Sequence, residues 1–279
     1  MSGALTKREF PRATVRQAFK PSLYSQERSS RLTSDRSTGS RTTDELKDRG
    51  TFVAEHIECF RVTYLPGNMK ARIEDRVIYS PYPHIDIPVC SFYALAKEKL
   101  LINPNKIALV GDELSLTRAE VLASMQRYAV GFRQNGMLPG DHVCIHMNNS
   151  VENLIAIYGC ILAGGTVFLA YALLTEDELR NEVQDGDCTH VVTDEENAVK
   201  VRKALAGLKL KGRFCVGQAA DFVSTSEFLK IDEKEFRECP VADPQNNVLA
   251  VCYTSGTTGL PKGAEMTHYS YVACFYASR

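Results

Sequence analysis

Between residue 78 and the end of the chain, the spacing of apolar positions switches repeatedly between helical and strand periods. Ser80-Pro-Tyr-Pro-His and Ile87-Pro88 read as an extended, proline-pinned approach to the fold. Ser91 stands where a cap belongs, ahead of a helix through Leu100 that must end before Pro104. Residues 107–110 and 114–116 predict a short hairpin around Gly111-Asp112-Glu113. Thr117 and Glu120 then form a capping box. Val121, Leu122, Met125, Tyr128, Ala129 and Phe132 recur on one helical face until Gly136 closes the helix.

Pro139-Gly140-Asp141 predicts a turn into a strand over 143–147, and Ser150 a cap for a helix over 151–163. A strand over 167–171 follows, and Thr175 with Glu178 makes a second capping box for a helix to about 184. A strand over 190–193, a helix over 195–206 stopped by Gly207, and a strand over 214–216 complete the run. Residues 248–253 are apolar and β-favouring, the pattern of a strand buried on both faces. Strands alternating with amphipathic helices imply βαβ units, an α/β fold with a mostly parallel sheet and flanking helices.

Two stretches carry competing readings. Residues 154–174 contain no charged side chain and are long enough to span a bilayer. Gly164-Gly165 interrupts them, so a buried helix, a tight turn and a buried strand explain the same letters, and no membrane span is expected. Residues 1–68 lack apolar periodicity and are rich in Arg, Ser and Thr over their first fifty positions. Such a segment cannot bury enough surface to offset its ordering entropy, so an unstructured extension is expected, with residues 69–279 forming the fold. A transit peptide is the alternative, against which Glu9, Glu27 and Asp35 speak, and Met69 is an alternative start.

Composition adds limits. The chain has 279 residues, 44% hydrophobic and 24% charged, enough apolar content for one large or two small cores. Lys+Arg 33 against Asp+Glu 34 leaves a net charge of −1, so no global field favours nucleic acid or an anionic membrane. The nine cysteines include no C-x-x-C pair and sit mostly in apolar runs. They read as reduced core residues of an intracellular protein, neither a disulfide framework nor a zinc site, and no metal ligands are expected among the side chains.

The chemistry concentrates after the strand at 248–253. Thr254, Ser255, Gly256, Thr257, Thr258 and Gly259 carry four hydroxyls and two glycines without an aliphatic side chain. Gly256 and Gly259 allow positive φ and close approach, so successive amides can converge on an anion. The hydroxyls can rotate to donate to phosphate oxygens, and Lys262, stiffened by Pro261, supplies a point charge. The bland alternative is a flexible spacer. A Walker loop is excluded, because Lys262 follows proline and precedes Gly263.

Residues 253–263, Tyr-Thr-Ser-Gly-Thr-Thr-Gly-Leu-Pro-Lys-Gly, resemble the signature loop of the adenylate-forming (AMP-binding) enzymes. That superfamily includes acyl- and aryl-CoA ligases, luciferases and peptide-synthetase adenylation domains. The likeness extends over roughly 78–279, and Ser80-Pro-Tyr-Pro-His-Ile-Asp-Ile-Pro is similar to the 4-coumarate–CoA ligase and luciferase-like branch. Ala170, Ala172-Leu173 and Ser270 depart from the family's usual residues and put local turns in question.

The resemblance implies an acid–CoA ligase using ATP, Mg2+ and coenzyme A on a small carboxylic acid. In it, Thr254, Ser255, Thr257 and Thr258 hold phosphate oxygens, Gly256 and Gly259 shape the nest, and Lys262 is the catalytic cation. It also implies family motifs beyond Arg279, so the chain is expected to be the N-terminal part of a larger adenylation domain, inactive alone. The alternatives are a non-catalytic nucleotide-binding or interaction fragment and a luciferase-like oxygenase. The expected compartment is cytoplasmic or peroxisomal ahead of mitochondrial; no nucleic-acid partner is expected, and oligomeric state is left open. His268 reads as capping or packing near a helix start, and Tyr269, Tyr271, Phe275 and Tyr276 as core or subunit packing.

Overall fold

The computed structural model describes residues 72–75, 77–80, 82, 84–112, 114–254 and 261–278. The extension expected over 1–68 therefore lies outside the described residues, as do Glu113 and residues 255–260. A hairpin that the sequence did not announce comes first, β1 (Arg72–Glu74) against β2 (Val77–Tyr79), and residues 84–90 run without regular structure, as the prolines demand.

Helix α1 (Phe92–Leu101) starts at the expected cap, the Ala94 N–H donating to Ser91 Oγ at 3.1 Å. The hairpin β3 (Ile107–Val110) and β4 (Ser115–Thr117) leads into α2 (Arg118–Gln134). Both arms of its box are present: Glu120 N–H donates to Thr117 Oγ1 and Thr117 N–H to Glu120 Oε2. Gly136 follows with φ +95°, a conformation that only glycine adopts without strain.

Next come β5 (His142–His146), α3 (Val151–Leu162) capped by Ser150, and β6 (Thr166–Leu169). Strand β6 is shorter than the sequence pattern predicts. Ala170 still bonds to Ile145 O, but the chain then turns, with Leu174 N–H donating to Tyr171 O. Lys200 holds this turn, its ammonium donating to Ala172 O at 2.7 Å and Leu174 O at 3.3 Å. Helix α4 (Glu176–Asp185) opens on the second complete capping box, Thr175 with Glu178.

Strand β7 (His190–Asp194) leads into α5 (Glu195–Ala204), which Asp194 caps. The helix closes before the predicted residue 206, where Arg180 donates to both Ala204 O and Ala206 O and satisfies its terminal carbonyls. Strand β8 (Gly212–Val216) precedes a short β9 (Val223–Ser224) and two 3-10 turns, Thr225–Lys230 and Glu233–Glu235, none of the last three foreseen. Finally β10 (Val248–Thr254) and β11 (Lys262–Thr267) run antiparallel, and α6 (His268–Ala277) follows, capped by Thr267.

Seven strands form one sheet in the order β11-β10-β6-β5-β7-β8-β9, parallel throughout except for β10 with β11. Residues alternate between two cores along β5: Val143 and Ile145 pack with α2 and α3, whereas Cys144 packs with Leu179 and Val183 of α4 and Val201 of α5. Strand β10 also feeds both, Leu249 and Ala250 into the first core and Val251 into the second. The uncharged stretch 154–174 is thus helix, turn and strand, and among the described residues no helix is long and apolar enough to cross a membrane.

The first core is built around aromatic rings. Phe132 is fully buried, edge-on to Phe214 at 4.9 Å and to Phe228 at 5.2 Å, with Tyr128 at 6.1 Å. Phe228 comes from the first 3-10 turn, and its ring lies so close to Gly131 that a Cβ there would sit 2.3 Å from Phe228 Cγ. At the start of β5, buried Asp141 accepts from Lys211 Nζ at 2.6 Å, Leu138 N–H at 2.8 Å and Thr189 Oγ1 at 3.2 Å. Burial alone would raise this carboxyl's pKa, but the hydrogen bonds from Lys211 and Leu138 outweigh it and hold it low.

Candidate phosphate-binding site

Strand β10 outruns its neighbour. Its ladder to β6 ends at the pair Cys252 and Leu169, yet it continues through Tyr253 and Thr254. Those last residues pair only across the hairpin, Tyr253 opposite Gly263 and Thr254 opposite Lys262. The end of β10, Tyr253 and Thr254, therefore extends beyond the carboxyl end of the adjoining parallel strand. In open α/β sheets that is the side on which ligands bind.

Of the residues singled out from the sequence, the structure brings together Thr254 and Lys262. Both are exposed, and Thr254 Oγ1 donates to the Lys262 carbonyl at 3.3 Å. Among the described residues no carboxylate pairs with the Lys262 ammonium. Ser255, Gly256, Thr257, Thr258 and Gly259 lie outside the described residues. Thr254 and Lys262 are paired across the hairpin, and a hydroxyl and an ammonium are donors suited to an anion with several oxygens.

Gly263 has a reason that the motif alone does not give. A Cβ on it would lie 2.9 Å from Val251 Cγ1 and 3.8 Å from the Tyr253 ring, so the cross-strand packing closes this position to side chains. Sequence reasoning also missed the partners of Tyr253. Its hydroxyl donates to Asp185 Oδ2 at 2.8 Å and lies 3.4 Å from Glu182 O, both on the last turn of α4. Burial, then the bond to Asp185, raises the Tyr253 pKa, so the phenol stays protonated and donating.

Glu182 itself is unusual. Its Oε2 is buried without a hydrogen-bond partner, and burial, followed by the charges of Glu178 and Asp185, pushes its pKa up to about 7. A carboxyl whose folded pKa exceeds its unfolded value of 4.5 stabilises the fold below that value, and the contribution is lost as pH rises through about 7. Glu182→Gln is therefore expected to flatten the decline in melting temperature between pH 5 and pH 8. Thermal melts of both proteins across that range check it; parallel curves would show that Glu182 does not titrate there.

His268 packs as the sequence suggested. It is buried, its Nδ1 accepts the Phe92 N–H at 3.1 Å, and it thereby satisfies an otherwise orphan donor in the first turn of α1. Tyr271 lies edge-on to Phe92 at 5.2 Å and shares a hydrogen bond with the Tyr158 hydroxyl at 2.8 Å, so it is part of the core. Glu265 is exposed.

Residues 97–279 match the family described as AMP-binding enzyme. The chain belongs to that family. This AMP-binding family member is 24% identical over 218 residues to a long-chain-fatty-acid–CoA ligase of Bacillus subtilis (strain 168), covering 68% of this chain and 39% of the relative. It is 27% identical over 212 residues to 4-coumarate–CoA ligase 1 of Petroselinum crispum, covering 74% of this chain and 38% of the relative. The chain thus spans about two fifths of the length of these curated relatives. Among solved structures, a long-chain-fatty-acid–CoA ligase from Archaeoglobus fulgidus superposes with a TM-score of 0.63 at 23% identity, covering 74% of this chain and 41% of that one. That likeness establishes the shared α/β architecture.

Proposed function

We propose that the β10–β11 hairpin receives the phosphates of ATP, and that the chain is the nucleotide-binding part of an acid–CoA ligase. The observation that carries this reading is Thr254 paired with Lys262 where β10 runs past the β6 ladder, within an eleven-residue segment that resembles the signature loop of its family. Thr254, Ser255, Thr257 and Thr258 would donate to phosphate oxygens, Gly256 and Gly259 would let the backbone close on them, and Lys262 would offset their charge.

The reaction proposed has two steps. A carboxylate oxygen of the acid attacks the α-phosphorus of ATP, the bond to the β-phosphate breaks, and pyrophosphate leaves. The thiol of coenzyme A then attacks the acyl carbon and AMP departs. This chain's contribution to the first step is alignment and charge neutralisation at the departing pyrophosphate, with Lys262 as its cation. Mg2+ would accompany ATP as its complex and add to that neutralisation. Residues 69–279 would form the first portion of the adenylation domain.

The test is calorimetric titration of the 279-residue chain with MgATP, followed by competition with magnesium pyrophosphate. Saturable binding that pyrophosphate displaces is the expected result. A chain that is folded by circular dichroism yet binds neither would remove the assignment.

A further inference from the structure

The end of β10 runs past the β6 ladder, and among the described residues β11 is the edge strand of the sheet. Pairing within the hairpin fixes Thr254 against Lys262, but that pairing does not fix this end of the two strands against the rest of the fold. A lateral fastening is what such a protrusion needs, and Tyr253 supplies one. Its ring lies near Gly263, 3.8 Å from where a Cβ there would stand, and its hydroxyl reaches across to Asp185 at the end of α4.

We propose that Asp185 is a positioning residue: through the Tyr253 hydroxyl it fastens the base of the hairpin, and so sets where the Thr254 hydroxyl and the Lys262 ammonium stand. Asp185 is exposed and in its contact with Tyr253 acts as an acceptor, so its role is separable from the packing of the core. Because the acceptor matters and the charge does not, Asp185→Asn should preserve the fastening, with the amide oxygen replacing the carboxylate. Asp185→Ala and Tyr253→Phe should each release it. The consequence for ligand binding rests on the phosphate-site reading above; the fastening itself does not.

Hydrogen exchange of the chain without nucleotide tests the fastening. In Asp185→Ala and in Tyr253→Phe, the amides of Thr254, Lys262 and Gly263 are expected to exchange about fivefold faster, as for loss of one ordinary hydrogen bond. The double variant should be no faster than either single one, Asp185→Asn should match the parent, and amides of β5 and β7 should be unchanged. Unaltered exchange in the single variants, or additive effects in the double, would overturn the proposal.

Titration with magnesium pyrophosphate then tests the positioning, with affinity expected to fall by a similar factor in Asp185→Ala and to be restored in Asp185→Asn. If the parent chain binds pyrophosphate and Asp185→Ala binds it equally well despite faster exchange, the positioning role is overturned. If the parent does not bind pyrophosphate while exchange changes as expected, the fastening stands and the phosphate-site reading falls.

Discussion

Lys262→Ala is expected to weaken binding of MgATP by about tenfold or more, equivalent to about 1.4 kcal/mol or above. Lys262 is the first residue of β11, exposed, and its backbone carbonyl accepts from the Thr254 hydroxyl. A cation there meets phosphate oxygens as a flexible point charge, and its removal leaves their charge uncompensated. Since Lys262 makes no ion pair with a described carboxylate, the substitution should leave the melting temperature nearly unchanged. Affinity for magnesium pyrophosphate should fall in parallel, because the triphosphate tail and the product present the same oxygens. Calorimetric titration of parent and variant measures both ligands, and equal affinities would remove Lys262 from the phosphate contact.

Phe132→Ala carries the largest expected cost in stability, about 3–5 kcal/mol. The ring is fully buried and meets Phe214, Phe228 and Tyr128 edge-on, so its deletion loses both apolar burial and three aromatic contacts. The neighbours come from β8, the first 3-10 turn and α2, which leaves little freedom for any one of them to collapse into the space. Urea unfolding should show a lower midpoint with a similar slope. A loss below about 1 kcal/mol would mean that the site relaxes around the gap, contrary to the packing described.

Local signals were the legible ones. Thr117 with Glu120, Thr175 with Glu178, Ser91 and Ser150 each announce a helix start within four residues, and all four helices begin there. The burial of β5 on both faces likewise follows from its own run of apolar residues. The 3-10 turn carrying Phe228 was not legible, because Phe228 packs against Gly131 and Phe132, far away along the chain. The same limit applies to the candidate site. Thr254 and Lys262 stand out by composition, whereas Asp185 and Tyr253, sixty-eight positions apart, meet only once the sheet has formed.

The contact between Gly131 and Phe228 also constrains how this sequence can drift. A methyl at position 131 would overlap the aromatic ring, while a smaller residue at 228 would leave a hole beside an otherwise filled helix. Neither position can change first without a penalty. Natural variants that carry a side chain at 131 should therefore also carry a reduced one at 228, a paired exchange that could be sought among homologous genes.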